Sequence, residues 1–120
     1  RLLKPFEIKV IRHKYHDRWF ADPFILDVTD NEIILLVEEF LYDNSKGRLA
    51  KLTIDRATYK VKSNETILDL PTHLSFPLIR RCENKIFICP ENAASGEWNM
   101  YELNGNVCTK VGTLLKKPVF

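Results

Sequence analysis

The residues best suited to do chemistry in this chain are carboxylates, and the most informative of them stands directly before a proline, in Trp19-Phe20-Ala21-Asp22-Pro23. Proline cannot donate to a β-ladder and is tolerated at the first position of a strand, so Asp22 falls where strand meets loop. A carboxylate there can act as a general base, bind a hydroxyl, or simply accept backbone hydrogen bonds at a turn. Glu38-Glu39 closes the next apolar run, and Glu91 repeats that position later in the chain. Strand alternation sends Glu38 and Glu39 to opposite faces, so at most one of them reaches a site shared with Asp22. His73-Leu74-Ser75 precedes a second Phe-Pro. His73 and Ser75 are therefore candidate polar contacts to a hydroxylated ligand, and Trp19 offers an aromatic face for a sugar ring.

Other chemistries find less support. His13 and His16 stand three apart, a spacing that suits a metal on a helix, but they lie in a loop before a strand with no third ligand. No metal and no cofactor is expected. There is no glycine-rich phosphate loop and no strand-turn-helix setting for a nucleophilic serine. Cys82, Cys89 and Cys108 are an odd set without paired spacing, which reads as reduced structural thiols and leans towards a cytoplasmic setting while leaving the compartment open. One pair could still bond in an exported protein.

Eighteen Lys+Arg against sixteen Asp+Glu leave a charge of +2, too small and too dispersed for a nucleic-acid binder. The longest strictly aliphatic run, Ile33–Val37, is far short of the roughly 20 residues of a membrane span. At 120 residues the chain is of single-domain size. It begins with Arg1 and its one methionine is Met100, so Arg1 is not expected to be a translation start.

These candidates are positioned by a repeat. DPFILDVTDNEIILLVEE from Asp22 answers FPLIRRCENKIFICPE from Phe76, with an offset of 54 from Pro23 to Pro77 and 53 from Ile33 to Ile86. TILDLP, ending at Pro71, is echoed by TLLKKP, ending at Pro118. Two units follow, about 19–71 and 73–118. Alternation and turn residues divide each into four strands: 23–28, 33–40, 48–54 and 59–62, then 77–81, 85–89, 98–103 and 107–111. Ile33–Phe40 is too continuously apolar to be half exposed and should be buried on both faces. Asn104-Gly105 predicts a type I′ hairpin with both residues at positive φ. The chain reads as all-β, with the four-stranded units of a β-propeller; a sandwich or small barrel is the alternative. On the propeller reading Glu7–Ile11 is the outer strand of a further blade, and missing blades or another copy of the chain complete the ring.

The order W-F-A-D-P-F, I-I-L-L-V-E-E, K-G-R-L, H-L-S-F-P and I-F-I-C-P-E resembles the N-terminal propeller domain of plant glucosamine inositolphosphorylceramide transferases and related bacterial proteins. That domain looks in turn like the five-bladed propellers of arabinanase-, xylosidase- and invertase-type glycoside hydrolases. The resemblance runs from Trp19 to about Glu91. It implies a carbohydrate or glycoconjugate partner and, for Asp22, the part of general base. It also calls for a second Asp opening a later blade, yet Phe76 stands there. The expectation is a carbohydrate-recognising module, with Asp22 as putative base and Trp19, Glu38, His73, Ser75 and Glu91 as ligand contacts. The alternative is an inverting glycoside hydrolase whose other carboxylates lie outside this chain, so whether it is an enzyme stays open.

Overall fold

The computed structural model describes residues 8–116. Within them lie β1 (Arg18–Val28), β2 (Glu32–Leu41), β3 (Lys46–Asp55), β4 (Val61–Leu68), β5 (Ser75–Cys82), β6 (Lys85–Glu91), β7 (Glu97–Asn104) and β8 (Val107–Lys116), with one 3-10 turn at Ala93–Ser95. The fold is all-β. The strands form two antiparallel four-stranded sheets, β1-β2-β3-β4 and β5-β6-β7-β8, each in chain order. No helix among the described residues is long and apolar enough to cross a membrane.

The sequence repeat is a repeat of register. Ala21 pairs with Glu38 as Ser75 pairs with Glu91, and Ile25 pairs with Leu35 as Ile79 pairs with Ile88. Both first strands bulge at the proline, between Ala21 and Phe24 and between Ser75 and Leu78. The one-residue gap in the sequence alignment is a second bulge: pairing passes from Ile25–Leu35 to Asp27–Ile34, leaving Leu26 as the extra residue. In β5 the ladder runs on without a break there, from Ile79 to Arg80. Bulges of this kind bend a strand and re-aim its side chains.

Several boundaries differ from expectation. β1 begins at Arg18 rather than Pro23, because the bulge at Asp22 and Pro23 lets pairing with β2 resume upstream. β4 begins at Val61, since Asp55 Oδ1 accepts from the Ala57 and Thr58 amides and carries the turn as far as Tyr59. The last hairpin is not type I′. Its loop is Gly105-Asn106, flanked by the pair Asn104–Val107, and only Gly105 has positive φ, at 61°. That is the pattern of a II′ turn with glycine in its first position. The strand expected at Glu7–Ile11 is not found at residues 8–11, and Glu7 lies outside the described residues. The segment instead makes an isolated parallel bridge from Arg12 to Lys60.

The main core lies between the sheets. Leu36, Leu49 and Ile67 of the first sheet meet Leu74, Ile88 and Leu103, with Ile79 and Ile86 packed against them. Full burial of a side chain of this size contributes about 1.5–3 kcal/mol. A second cluster, Leu35, Val37, Ala50, Leu52 and Ile54, fills the other face of the first sheet. Apolar residues on both faces explain the continuous run Ile33–Val37, of which Leu35, Leu36 and Val37 are buried.

Candidate functional site

Asp22 is exposed, has a φ of 52° and sits in the β1 bulge. Ala21, just before it, pairs with Glu38, which is only 4% exposed. Burial, then a hydrogen bond to Asp22 and the negative charges of Asp22 and Glu91, push the Glu38 carboxyl up to about 7. Glu38 therefore keeps its proton well above the ordinary carboxylate range, because its charged form is both desolvated and set beside other negative charge.

His73 closes one side of this pair. The Gly47 N–H donates to His73 Nδ1 at 2.7 Å, which leaves the proton of a neutral ring on Nε2, 3.6 Å from Glu38 Oε2. Gly47 itself has no room for a side chain: a Cβ would stand 2.5 Å from the Leu74 carbonyl oxygen, 2.7 Å from His73 Cε1 and 3.0 Å from Glu38 Oε2. The Leu74 N–H donates to the Gly47 carbonyl at 2.9 Å, so the connector before β5 is pinned to the start of β3.

Trp19 stacks on Phe40, with ring centroids 4.7 Å apart and planes 11° from parallel, and Phe40 meets His73 edge-on at 6.0 Å. An aromatic wall therefore runs from exposed Trp19 to the carboxyl pair. Ser75 and Glu91 occupy one rung of the β5–β6 ladder. Glu91 acts on Glu38 through its charge, but it lines a different cavity, of about 400 Å³, with Phe76, Leu78, Cys89, Trp98 and Leu115. Asp22, Glu38 and His73 thus come together, Trp19 stands at the rim, and Glu91 with Ser75 lies alongside.

Glu39 faces the other way, as alternation requires. It is fully buried and accepts hydrogen bonds from Arg18 Nη1 at 2.9 Å, Arg48 Nε at 2.7 Å and Asn64 Nδ2 at 2.5 Å. Burial alone would raise its pKa, but these donors outweigh burial and hold it below the ordinary value. Adjacent glutamates are thus pushed in opposite directions. Glu39 serves the fold, cross-linking β1, β2, β3 and β4.

Sequence reading missed Gly47 and Phe40, both essential to this geometry. The only trace of Gly47 was its place in K-G-R-L after a polar loop, and nothing local forecasts a contact 26 residues away. Phe76, the counterpart of Asp22 in the second unit, packs edge-on against Phe24 at 5.0 Å. His13 and Tyr15 pack around Phe20, and no three His, Cys, Asp or Glu among the described residues are grouped to hold a metal. The three cysteines are free, and burial pushes Cys108 up to about 11. Compared with known proteins, the chain matches no protein family, no curated protein and no solved structure.

Proposed function

We propose that this chain is a propeller-type module that recognises a carbohydrate or glycoconjugate at the Asp22–Glu38 pair without cleaving it. The observation that carries this reading is the convergence on Glu38, beside Asp22, of His73 Nε2 at 3.6 Å from Glu38 Oε2 and of the ring series Trp19, Phe40 and His73. Glycosidase carboxyls flank the scissile bond at about 5–5.5 Å for retention or 6.5–9.5 Å for inversion, and Phe76 stands where the resemblance calls for the second Asp. A pair that can both donate and accept, beside a His73 Nε2–H and an aromatic wall, suits vicinal hydroxyls on a ring with one apolar face. Further blades would complete the ring around such a pocket.

The second reading is an inverting hydrolase with Asp22 as base. It draws on one feature, a buried Glu38 that keeps its proton near neutrality, as a general acid must. On that reading the remaining carboxylates lie outside this chain.

Titration of the purified chain with arabino-, xylo- and gluco-oligosaccharides, followed by amide NMR, tests recognition. Shifts are expected at residues 21–23, 38–40, 47 and 73, weakened about tenfold or more in Asp22→Asn and Glu38→Gln. Shifts that spread elsewhere, or that survive both substitutions, would remove the carboxyl pair as the site.

A further inference from the structure

The outward face of the second sheet repeats, rung for rung, the face of the first sheet that the second sheet covers. Ladder register makes Leu36 the counterpart of Cys89, Leu49 of Trp98 and Leu68 of Leu115. Both third strands bulge at the same rung, between Leu49 and Ala50 and between Trp98 and Asn99. Volume is exchanged between neighbours: the small Cys89 replaces Leu36 while the large Trp98 replaces Leu49. The Trp98 indole N–H reaches the Cys89 carbonyl at 3.5 Å, placing the ring over that residue.

What differs is the cover. Leu36 and Leu49 are 0% exposed beneath Leu74, Ile88 and Leu103. Trp98 and Leu115 are 42% and 53% exposed beside the cavity of about 400 Å³, and Leu114 next to them is 49% exposed. A second copy of this chain is poorly suited to fill the face. The positions of Leu74, Ile88 and Leu103 are taken in the first sheet by Phe20, Leu35 and Ile54. Leu35 and Ile54 are already buried, and Phe20 lies under His13 and Tyr15.

We infer that the outward face of β5–β8 docks a further four-stranded antiparallel sheet of the same repeat, one that presents apolar side chains at the positions of Leu74, Ile79, Ile88 and Leu103. Such a sheet would bring its own connector beside Glu91 as His73 comes beside Glu38. The inference stands on the repeat and does not depend on what the carboxyl pair binds.

The test extends the full chain by duplicating residues 72–118 directly after Pro118, so that the added unit follows TLLKKP as Thr72 follows TILDLP. Hydrogen exchange should find the added strands protected about 100-fold or more over unfolded rates, with a rise in melting temperature. Cys89→Leu with Trp98→Leu in the receiving unit reproduces the Leu36/Leu49 face and should keep that protection. Trp98→Asp should abolish it while residues 18–68 and the receiving strands β5 and β6 stay protected, which shows that the receiving sheet has folded. Added strands that exchange freely on both the native and the leucine face would overturn the inference, as would protection that survives Trp98→Asp. So would a dimer of the unextended chain, seen by light scattering, that Trp98→Asp dissociates, because a second copy would then own this face.

Discussion

Asp22 and Phe76 adopt the same left-handed backbone conformation, with φ of 52° and 50°, each directly before a proline and each inside a bulge of its first strand. The repeat therefore preserves a strained backbone even where it changes a carboxylate for an aromatic ring. Asp is among the few side chains that tolerate this region, whereas a bulky one persists there only when its surroundings hold it; for Phe76, that includes the ring of Phe24.

A first prediction isolates the backbone. Asp22→Asn and Asp22→Val both remove the charge, but only Asn suits a left-handed residue. Urea unfolding should find the Val variant less stable than the Asn variant by about 1–3 kcal/mol. Equal midpoints would mean that the bulge imposes no such constraint.

Gly47→Ala should be costly for a residue so small. The added methyl would press on the Leu74 carbonyl, the His73 ring and a Glu38 oxygen at 2.5–3.0 Å, and two of the three belong to the pinned connector. Overpacking of this sort costs about 1–3 kcal/mol. His73 should also move from Glu38, visible as changed imidazole ring chemical shifts in NMR. An Ala variant with native stability and an unchanged His73 would mean that the connector yields freely.

Glu38 and Glu39 should answer pH in opposite senses. The Glu38 carboxyl is raised from 4.5 to about 7 in the folded state, so the folded chain holds a proton that the unfolded chain releases. Its contribution is complete below about pH 4.5 and is lost as pH rises towards 7, a fall of about 3 kcal/mol at most. Glu39, lowered by its three donors, stabilises above the ordinary carboxylate range and loses that contribution as pH falls through its folded value. Glu38→Gln should flatten the decline between pH 4.5 and 7, and Glu39→Gln should not. Parallel stability profiles for wild type and Glu38→Gln across that interval would contradict the raised Glu38 carboxyl.

How far the sequence could be read depended on whether the deciding contacts were local. Pro23 with Pro77 and Ile25 with Ile79 announced two like units, and the one-residue gap between them became the bulged Leu26. Alternation alone separated Glu38 from Glu39. The cage around Glu39 was not legible, because Arg18, Arg48 and Asn64 meet it from 21, 9 and 25 residues away. The start of β1 was hidden as well, since Arg18 and Trp19 show no alternation and owe their pairing to Leu41 and Phe40. Residues 8–11 mislead in the opposite direction. Ile8 and Val10 alternate as a strand does, yet both are exposed, at 87% and 71%, and only Arg12 finds a bridge.

The last prediction concerns turnover: this chain should not hydrolyse glycosides, even where it binds sugars. General acid and base groups are each worth about 10²–10⁴-fold when positioned on opposite sides of a scissile bond. Glu38 is only 4% exposed, and burial and the nearby Asp22 hold its proton. The counterpart of Asp22 in the second unit is no carboxylate but Phe76, packed against Phe24. Glu91, the remaining acid nearby, is exposed and opens on the neighbouring cavity, where water screens the field that such chemistry needs. Aryl arabinosides, xylosides and glucosaminides incubated with the chain, with Asp22→Asn and with Glu38→Gln should release no more phenol than buffer does. Release by wild type that disappears in Asp22→Asn would make Asp22 a working base and move the assignment from recognition to hydrolysis. Release that survives both substitutions would mark a contaminating activity.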